Sequence, residues 1–414
     1  SLVRWKTCTC RTRRRSKQLF VGWQVTPDER PRMSDQDIHR LTMPKWGLTM
    51  TSGTVVKWLR EEGDEVAQGD ELVEVETEKI ASAVEASSAG VLQRCIANEG
   101  DTVSVGGLLG VIAGAGIPSE QIDRVVEKFA VAFVPDETAI SAAGPSTQRV
   151  VVGERSLRYL KLGDNESPIS ENPPALLLHG FGGDLNNWLF NIEPLSAGHS
   201  VYALDLPGHG ESSRDVGDGS IGAFAAAVIG FMDAMDIHAA HLVGHSFGGA
   251  VATHIALAEP GRVTSISLIA SAGLGPEINT GFIDGFVAAE RRGALRDELG
   301  KLFADPALVT RRLVDDVLKF KRIDGVTEAL RQTATGLVTD GLQAPGYRDR
   351  LHEIAAPIQV IWGQADGIIP VSHAAGLAGS VRTTIIPRAG HMPMMETAGE
   401  VNSALADFMD RATG

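Results

Sequence analysis

A chain of 414 residues is long for one domain and comfortable for two. Hydrophobic residues make up 43% and charged residues 22%, the balance of an ordinary soluble globular protein, and no apolar run reaches the ~18 residues of a membrane span. A formal charge of −14 and an aromatic content of 5% argue against a surface for nucleic acid or anionic membranes.

The first 32 residues hold nine Lys or Arg and two acids, Asp28 and Glu29. No apolar stretch there suits a secretory core, and an Arg-rich, acid-poor leader has the composition of a transit peptide. The preferred reading is plainer: residues 1–36 are a basic extension outside any packed core, with Met33-Ser34-Asp35 as the true beginning. Cys8 and Cys10 lie in this segment and Cys95 is alone in the body, with no partners at metal-ligand spacing. Neither a disulfide framework nor a structural metal is expected, which fits a reducing, cytoplasmic setting.

Next comes an internal repeat. Gly53-Thr54-Val55, Trp58-Leu59 and Glu62-Gly63-Asp64-Glu65-Val66 match Gly90-Val91-Leu92, Cys95-Ile96 and Glu99-Gly100-Asp101-Thr102-Val103. Gly69 then pairs with Gly106, Leu72 with Leu109 and Val75 with Ile112. Two copies mean a duplicated domain rather than a solenoid. Short β-rich runs separated by Gly-Asp turns predict a small β-sandwich or flattened barrel. Between the halves, alternation on both sides of Glu76-Thr77-Glu78-Lys79-Ile80 predicts a hairpin with Lys79 near its tip.

The repeat, this turn and Thr42-Met43-Pro44-Lys45-Trp46-Gly47 resemble a lipoyl domain over residues 37–113. Biotinyl domains carry Met on both sides of the acceptor lysine, whereas Glu78 and Ile80 flank Lys79 here. The resemblance thus implies lipoate, bound covalently at Lys79. Without the surrounding repeat, Lys79 would be read as a solvated turn lysine.

Residues 114–148 read as a linker, with Gly114, Gly116, Pro118, Pro135, Gly144 and Pro145. Apolar spacing from Ile122 to Phe133 predicts one short helix. A spacer is preferred to a segment that docks a partner enzyme.

From about residue 149 to 414, strands alternate with helices, which predicts a parallel sheet covered on both faces. Strands are expected at Ala175–His179, Val201–Asp205, Ala240–Val243, Ser265–Ile269, Ile358–Trp362 and Thr383–Ile386, and helices at Ile221–Asp236 and Gly249–Ala258. Between a strand and a helix stands Gly244-His245-Ser246-Phe247-Gly248-Gly249, the nucleophile-elbow pattern. Gly363-Gln364-Ala365-Asp366 and Gly390-His391-Met392-Pro393 follow later strands, so Ser246, Asp366 and His391 are expected as nucleophile, orienter and general base. His179-Gly180-Phe181-Gly182-Gly183 follows the early strand. The backbone N–H groups of Phe181 and Phe247 are the candidates for an oxyanion hole. His179, His209, His245 and His254 are read as structural or solvated. With Asp205-Leu206-Pro207-Gly208-His209-Gly210, this half resembles the α/β-hydrolase family.

Residues 275–350 break the α/β pattern with helical stretches, the expected position of a cap. Arg291, Arg292, Arg311, Arg312, Lys319, Lys321 and Arg322 lie there. They could meet the phosphates of coenzyme A, but a solvated helix face is preferred.

The fusion resembles the dihydrolipoyllysine-residue acetyltransferase components of acetoin dehydrogenase complexes. The DHxxxDG motif of ordinary 2-oxoacid dehydrogenase acyltransferases is missing. The resemblance implies acetyl transfer from the lipoyl arm to coenzyme A, a thiamine-diphosphate-dependent acetoin-cleaving partner, a dihydrolipoyl dehydrogenase and homo-oligomeric assembly. Two other readings stay open: a lipoyl-tethered hydrolase in which water resolves the acyl-enzyme, and a carrier whose second domain is only a scaffold.

Overall fold

Gly53 and Gly90 are 37 positions apart, and the computed structural model shows what that offset builds. It describes residues 38–44, 52–77, 81–114, 116–132, 146–163, 172–344, 346–377 and 379–413. The first half contributes β1 (Ile38–Thr42), β2 (Ser52–Trp58), β3 (Glu65–Val66), β4 (Glu71–Glu76) and β5 (Ala81–Glu85), and the second β6 (Gly90–Cys95), β7 (Thr102–Ser104) and β8 (Leu108–Ala113). They form two four-stranded sheets, ordered β1-β8-β6-β3 and β5-β4-β2-β7. The offset maps β2 onto β6, β4 onto β8 and β3 onto β7, so each half lends its short strand to the other half's sheet.

The equivalence reaches individual hydrogen bonds. Asp64 and Asp101 each accept the amide three residues earlier, from Glu61 at 2.9 Å and Asn98 at 2.8 Å. Glu62 accepts Cys95 N at 2.7 Å, and Glu99 accepts Trp58 N at 3.3 Å. Gly63 and Gly100 hold the same turn at φ of 100° and 90°, a region that disfavours side chains. Repeat-related Leu72 and Leu109, and Val75 and Ile112, fill a common core with Val55 and Leu92. Burying each such side chain contributes about 1.5–3 kcal/mol before entropy is counted.

Helix α1 (Ser119–Ala132) begins within the stretch read as a linker. Its Ile122, Val125 and Val126 pack with Ile38, Val111 and Ala113 of the carrier, and Asp123 meets Arg94 at 3.2 Å. Phe133 and residues 134–145 lie outside the described residues.

The second region is an eight-stranded sheet. Its strands are β9 (Gln148–Val152), β10 (Arg155–Leu162), β11 (Ala175–Leu178), β12 (Val201–Leu204), β13 (Ala240–His245), β14 (Val263–Ile269), β17 (Ile358–Gly363) and β18 (Arg382–Ile386), in the order β18-β17-β14-β13-β11-β12-β10-β9. β10 runs antiparallel to both of its neighbours, β9 and β12, and every other neighbouring pair is parallel. Every residue of β11, β12, β13 and β17 is buried. Successive side chains point to opposite faces, so both faces of the sheet's centre are covered.

The helices here are α2 (Ile192–Leu195), α3 (Ile221–Ala234), α4 (Phe247–Ala258), α5 (Thr280–Ala288), α6 (Arg292–Gly300), α7 (Arg311–Lys321), α8 (Val326–Leu337), α9 (Pro393–Glu396) and α10 (Ala398–Thr413). Ser220 starts α3 by accepting Ala223 N, and Thr310 starts α7 by accepting Leu313 N. Helices α5 to α8 and a small hairpin, β15 (Val338–Thr339) with β16 (Leu342–Gln343), lie between β14 and β17. No helix among the described residues is long and apolar enough to cross a membrane.

Candidate active site

Ser246 sits between the end of β13 and the start of α4, at φ 51° and ψ −116°. A non-glycine residue there is strained, and the turn is tight on both sides. A Cβ on Gly244 would come within 2.4 Å of Gly248 O, and one on Gly248 within 2.3 Å of Leu178 O. Glycine at both positions is therefore steric necessity. Ser246 is 6% exposed.

Asp366 follows β17 and His391 follows β18, neighbours in the sheet, so the topology brings residues 25 apart to one edge. His391 Nδ1 and Asp366 Oδ2 are 2.8 Å apart. Asp366 Oδ1 accepts the amides of Ile368 at 2.8 Å and Ile369 at 2.9 Å. With one oxygen committed to the backbone, the other is left for the imidazole. On the far side, His245 Nε2 donates to His391 O at 2.8 Å, and the two rings lie 4.8 Å apart. Burial, then His391, pushes His245 well below the usual histidine range, so it is a neutral prop.

The glycine-rich segment after β11 runs alongside the serine. A Cβ on Gly180 would stand 3.1 Å from Ser246 Cβ and 2.7 Å from His245 Nδ1. Among the described residues, the Phe181 and Phe247 backbone N–H groups meet no protein acceptor. Phe247 is the first residue of α4, where helical amides have no intrahelical partner.

Two buried histidines brace this segment. His179 Nε2 accepts Leu206 N at 3.0 Å, which leaves Nδ1 to donate to Gly180 O at 2.8 Å. Burial lowers His179 to about 4 and, with His179 as neighbour, His209 to about 3. His254 pairs with Tyr347 Oη at 3.0 Å. Asp205 accepts Leu185 N and Glu211 N at 2.8 Å each and meets Arg158 at 2.8 Å, tying down the loop after β12.

Of the cap cations, Arg292, Arg311, Arg312 and Lys321 have acids or carbonyls as partners. Arg292 reaches Asp315 at 2.6 Å, with Arg311 at 3.9 Å from the same residue, and Arg312 lies 3.8 Å from Asp316. Lys321 is buried and donates to the carbonyls of Phe286 and Val287 at the end of α5. Phe286 packs in turn on Phe181.

In the first region, β4 and β5 are antiparallel with Glu76 opposite Ala81, and the connection closed by that pair contains Lys79. Lys79 itself lies outside the described residues. Cys95 is a free thiol that burial, then Glu62, pushes up to about 11.

Sequence reading misses one residue at this site, Glu396, which binds the amides on both sides of His391, while His245 has the structural part expected of it. The signal for Glu396 was its place five residues after the base and its stretch of Met and Pro neighbours.

This fold and site define an α/β-hydrolase-fold protein joined to a biotinyl/lipoyl-type carrier. The alpha/beta hydrolase fold family matches residues 173–398, and the family described as "Biotin-requiring enzyme" matches residues 39–112. The chain is 48% identical to the dihydrolipoyllysine-residue acetyltransferase component of the acetoin cleaving system of Pseudomonas putida, over 90% of this chain and 98% of that protein. It is 42% identical to the component of the same name from Cupriavidus necator, over 88% and 96%. A meta-cleavage product hydrolase from Pseudomonas fluorescens superposes with a TM-score of 0.58 at 23% identity, over 64% of this chain and 98% of that one, which shows the fold. The chain belongs to the family of dihydrolipoyllysine-residue acetyltransferase components of acetoin cleaving systems.

Proposed function

We propose that this chain moves an acetyl group from a lipoyl-lysine at Lys79 to coenzyme A, through Ser246, His391 and Asp366, within a multienzyme acetoin-cleaving assembly. The observations that carry the chemistry are the His391–Asp366 pair at 2.8 Å and a serine held in a strained elbow. The carrier fits its group in kind: Lys79 supplies the amine for an amide link, in the connection between the antiparallel strands β4 and β5 of a duplicated domain. A lipoyl group there would supply a thiol that presents the acyl group as a thioester.

Ser246 Oγ attacks the thioester carbonyl while His391 Nε2 takes its proton. Asp366 holds Nδ1 and stabilises the imidazolium. The Phe181 and Phe247 amides receive the oxyanion, each worth about 3 kcal/mol in the transition state. His391 returns the proton to the leaving thiolate. It then takes the proton of the coenzyme A thiol, which attacks the Ser246 ester, and passes that proton to the departing Ser246 Oγ, restoring the free serine. Upstream, a thiamine-diphosphate-dependent enzyme would cleave acetoin and load the arm. A dihydrolipoyl dehydrogenase would reoxidise it, all in the cytoplasm.

The test is direct. After exposure to acetyl-dihydrolipoamide without coenzyme A, acid-quenched protein should carry one acetyl on the peptide containing Ser246, and none when coenzyme A is added before the quench. An unmodified serine peptide alongside undiminished acetyl-CoA formation would refute the covalent route.

A further inference from the structure

Glu396 closes α9, five residues beyond His391. Its Oε1 accepts Gly390 N at 2.8 Å and Met392 N at 3.2 Å, the amides on either side of His391. Its Oε2 accepts Ala304 N at 2.7 Å. Residues 302–304 follow α6, one of the helices between β14 and β17, and they lie directly on the His391 loop. His391 N donates to Leu302 O at 2.8 Å, and a Cβ on Gly390 would come within 2.6 Å of Ala304 N. His245 Nε2 holds His391 O from the other side. Gly390 N, His391 N, His391 O and Met392 N are thus all engaged, two of them by one carboxylate.

We propose that Glu396 is the positioning residue for His391. It fixes the backbone on both sides of the base and ties that loop to the segment leaving α6, so that cap and base keep one register. A carboxylate suits this work better than a neutral side chain, because all three of its partners are N–H donors and charge-assisted bonds are the stronger kind. Burial raises the Glu396 carboxyl above its ordinary value, against the opposite pull of the three amides and His391. The inference rests on the reading of His391 as general base.

The experiment compares Glu396→Gln and Glu396→Ala in the full-length lipoylated protein. The glutamine keeps a carbonyl for Gly390 and Met392 but turns an NH2 toward Ala304 N–H, whereas the alanine keeps none of the three bonds. With active sites counted by a serine-directed fluorophosphonate, kcat for acetyl transfer should fall about 100-fold in the alanine variant, the cost of a misplaced base. It should fall about tenfold in the glutamine variant, as for one lost hydrogen bond. KM for coenzyme A should stay within about twofold in both, since a positioning loss acts on the chemical step.

Amide hydrogen exchange supplies a readout independent of turnover. Gly390 and Met392 should exchange faster in the alanine variant and keep protection in the glutamine variant, with Ala304 exposed in both. Unchanged kcat per site, or Gly390 and Met392 still protected in the alanine variant, would overturn the proposal. If the alanine variant does not fold, kcat and the Ala304 amide in the glutamine variant decide. A Ser246→Ala protein that still transfers acetyl would sink the catalytic reading instead, and the exchange measurements would still decide the clamp.

Discussion

His391 and Asp366 meet through a single 2.8 Å contact, with both side chains shut away from solvent. Ile368 N and Ile369 N occupy the other carboxylate oxygen, so Asp366 cannot turn without losing two backbone bonds. Asp366→Asn would place an amide where a carboxylate must accept Nδ1–H, favouring the wrong tautomer. We expect kcat to fall about ten-thousand-fold with the fold retained. Steady-state kinetics with far-UV circular dichroism would check this, and a loss below tenfold would contradict the orienting role.

Ser246 stores backbone strain that only a reactive side chain justifies. At φ 51° and ψ −116°, glycine would be more comfortable. Ser246→Gly should abolish acetyl transfer yet raise stability by about 1 kcal/mol, measured from urea unfolding midpoints. A destabilised variant would show that the elbow is not strained.

Most of this site could be read from the residues because it depends on local rules. Gly244 and Gly248 mark a turn where any Cβ collides, Asp366 follows the wholly buried β17, and His391 follows the edge strand β18. Strand β13 and helix α4 stand within two residues of their expected limits, since a wholly buried strand and a run closed by Pro260 leave little freedom. The antiparallel β9 and β10 were not itemised as strands. They carry charges such as Arg149 and Arg158 that only tertiary partners satisfy, Glu211 and Asp205 among them. The Glu396 clamp was hidden for the same reason: its third donor, Ala304, is 92 residues away. The cap cations point the other way. Sequence shows them as a row of charges; Asp315 and Asp316 stand one turn after Arg311 and Arg312 in the same helix, and only the pairing of Arg292 with Asp315 depends on the fold.

Buried neutral histidines make the fold sensitive to acid. Burial lowers His179 to about 4, His209 to about 3 and His241 to about 4, from an ordinary value of 6.5. Unfolded chains bind these protons first. Each histidine's contribution is therefore complete above about pH 6.5 and is lost as pH falls toward its folded value, at about 1.4 kcal/mol per unit. Urea midpoints should drop steeply between pH 6.5 and 4.5. His241, whose Nδ1 pairs with Ser265 Oγ at 2.7 Å away from the site, gives a clean probe. His241→Gln should flatten the slope, and an unchanged slope would remove it from the account.

Lys79→Arg separates carrier from catalyst. With a lipoate ligase present, intact-mass measurement should show a lipoyl increment on the parent and none on the variant. The variant should lose transfer from a loaded arm but still use free acetyl-dihydrolipoamide at near-normal kcat. Loss of both activities would contradict independent roles for the two regions.

The central claim is transfer to a thiol through Ser246. The purified, lipoylated protein should be given acetyl-dihydrolipoamide with and without coenzyme A, beside Ser246→Ala, and acetyl-CoA and free acetate quantified. Acetyl-CoA as the main product, lost in the variant, is the result this account predicts. Rapid acetate release regardless of coenzyme A would make the protein a lipoyl-tethered hydrolase and contradict it.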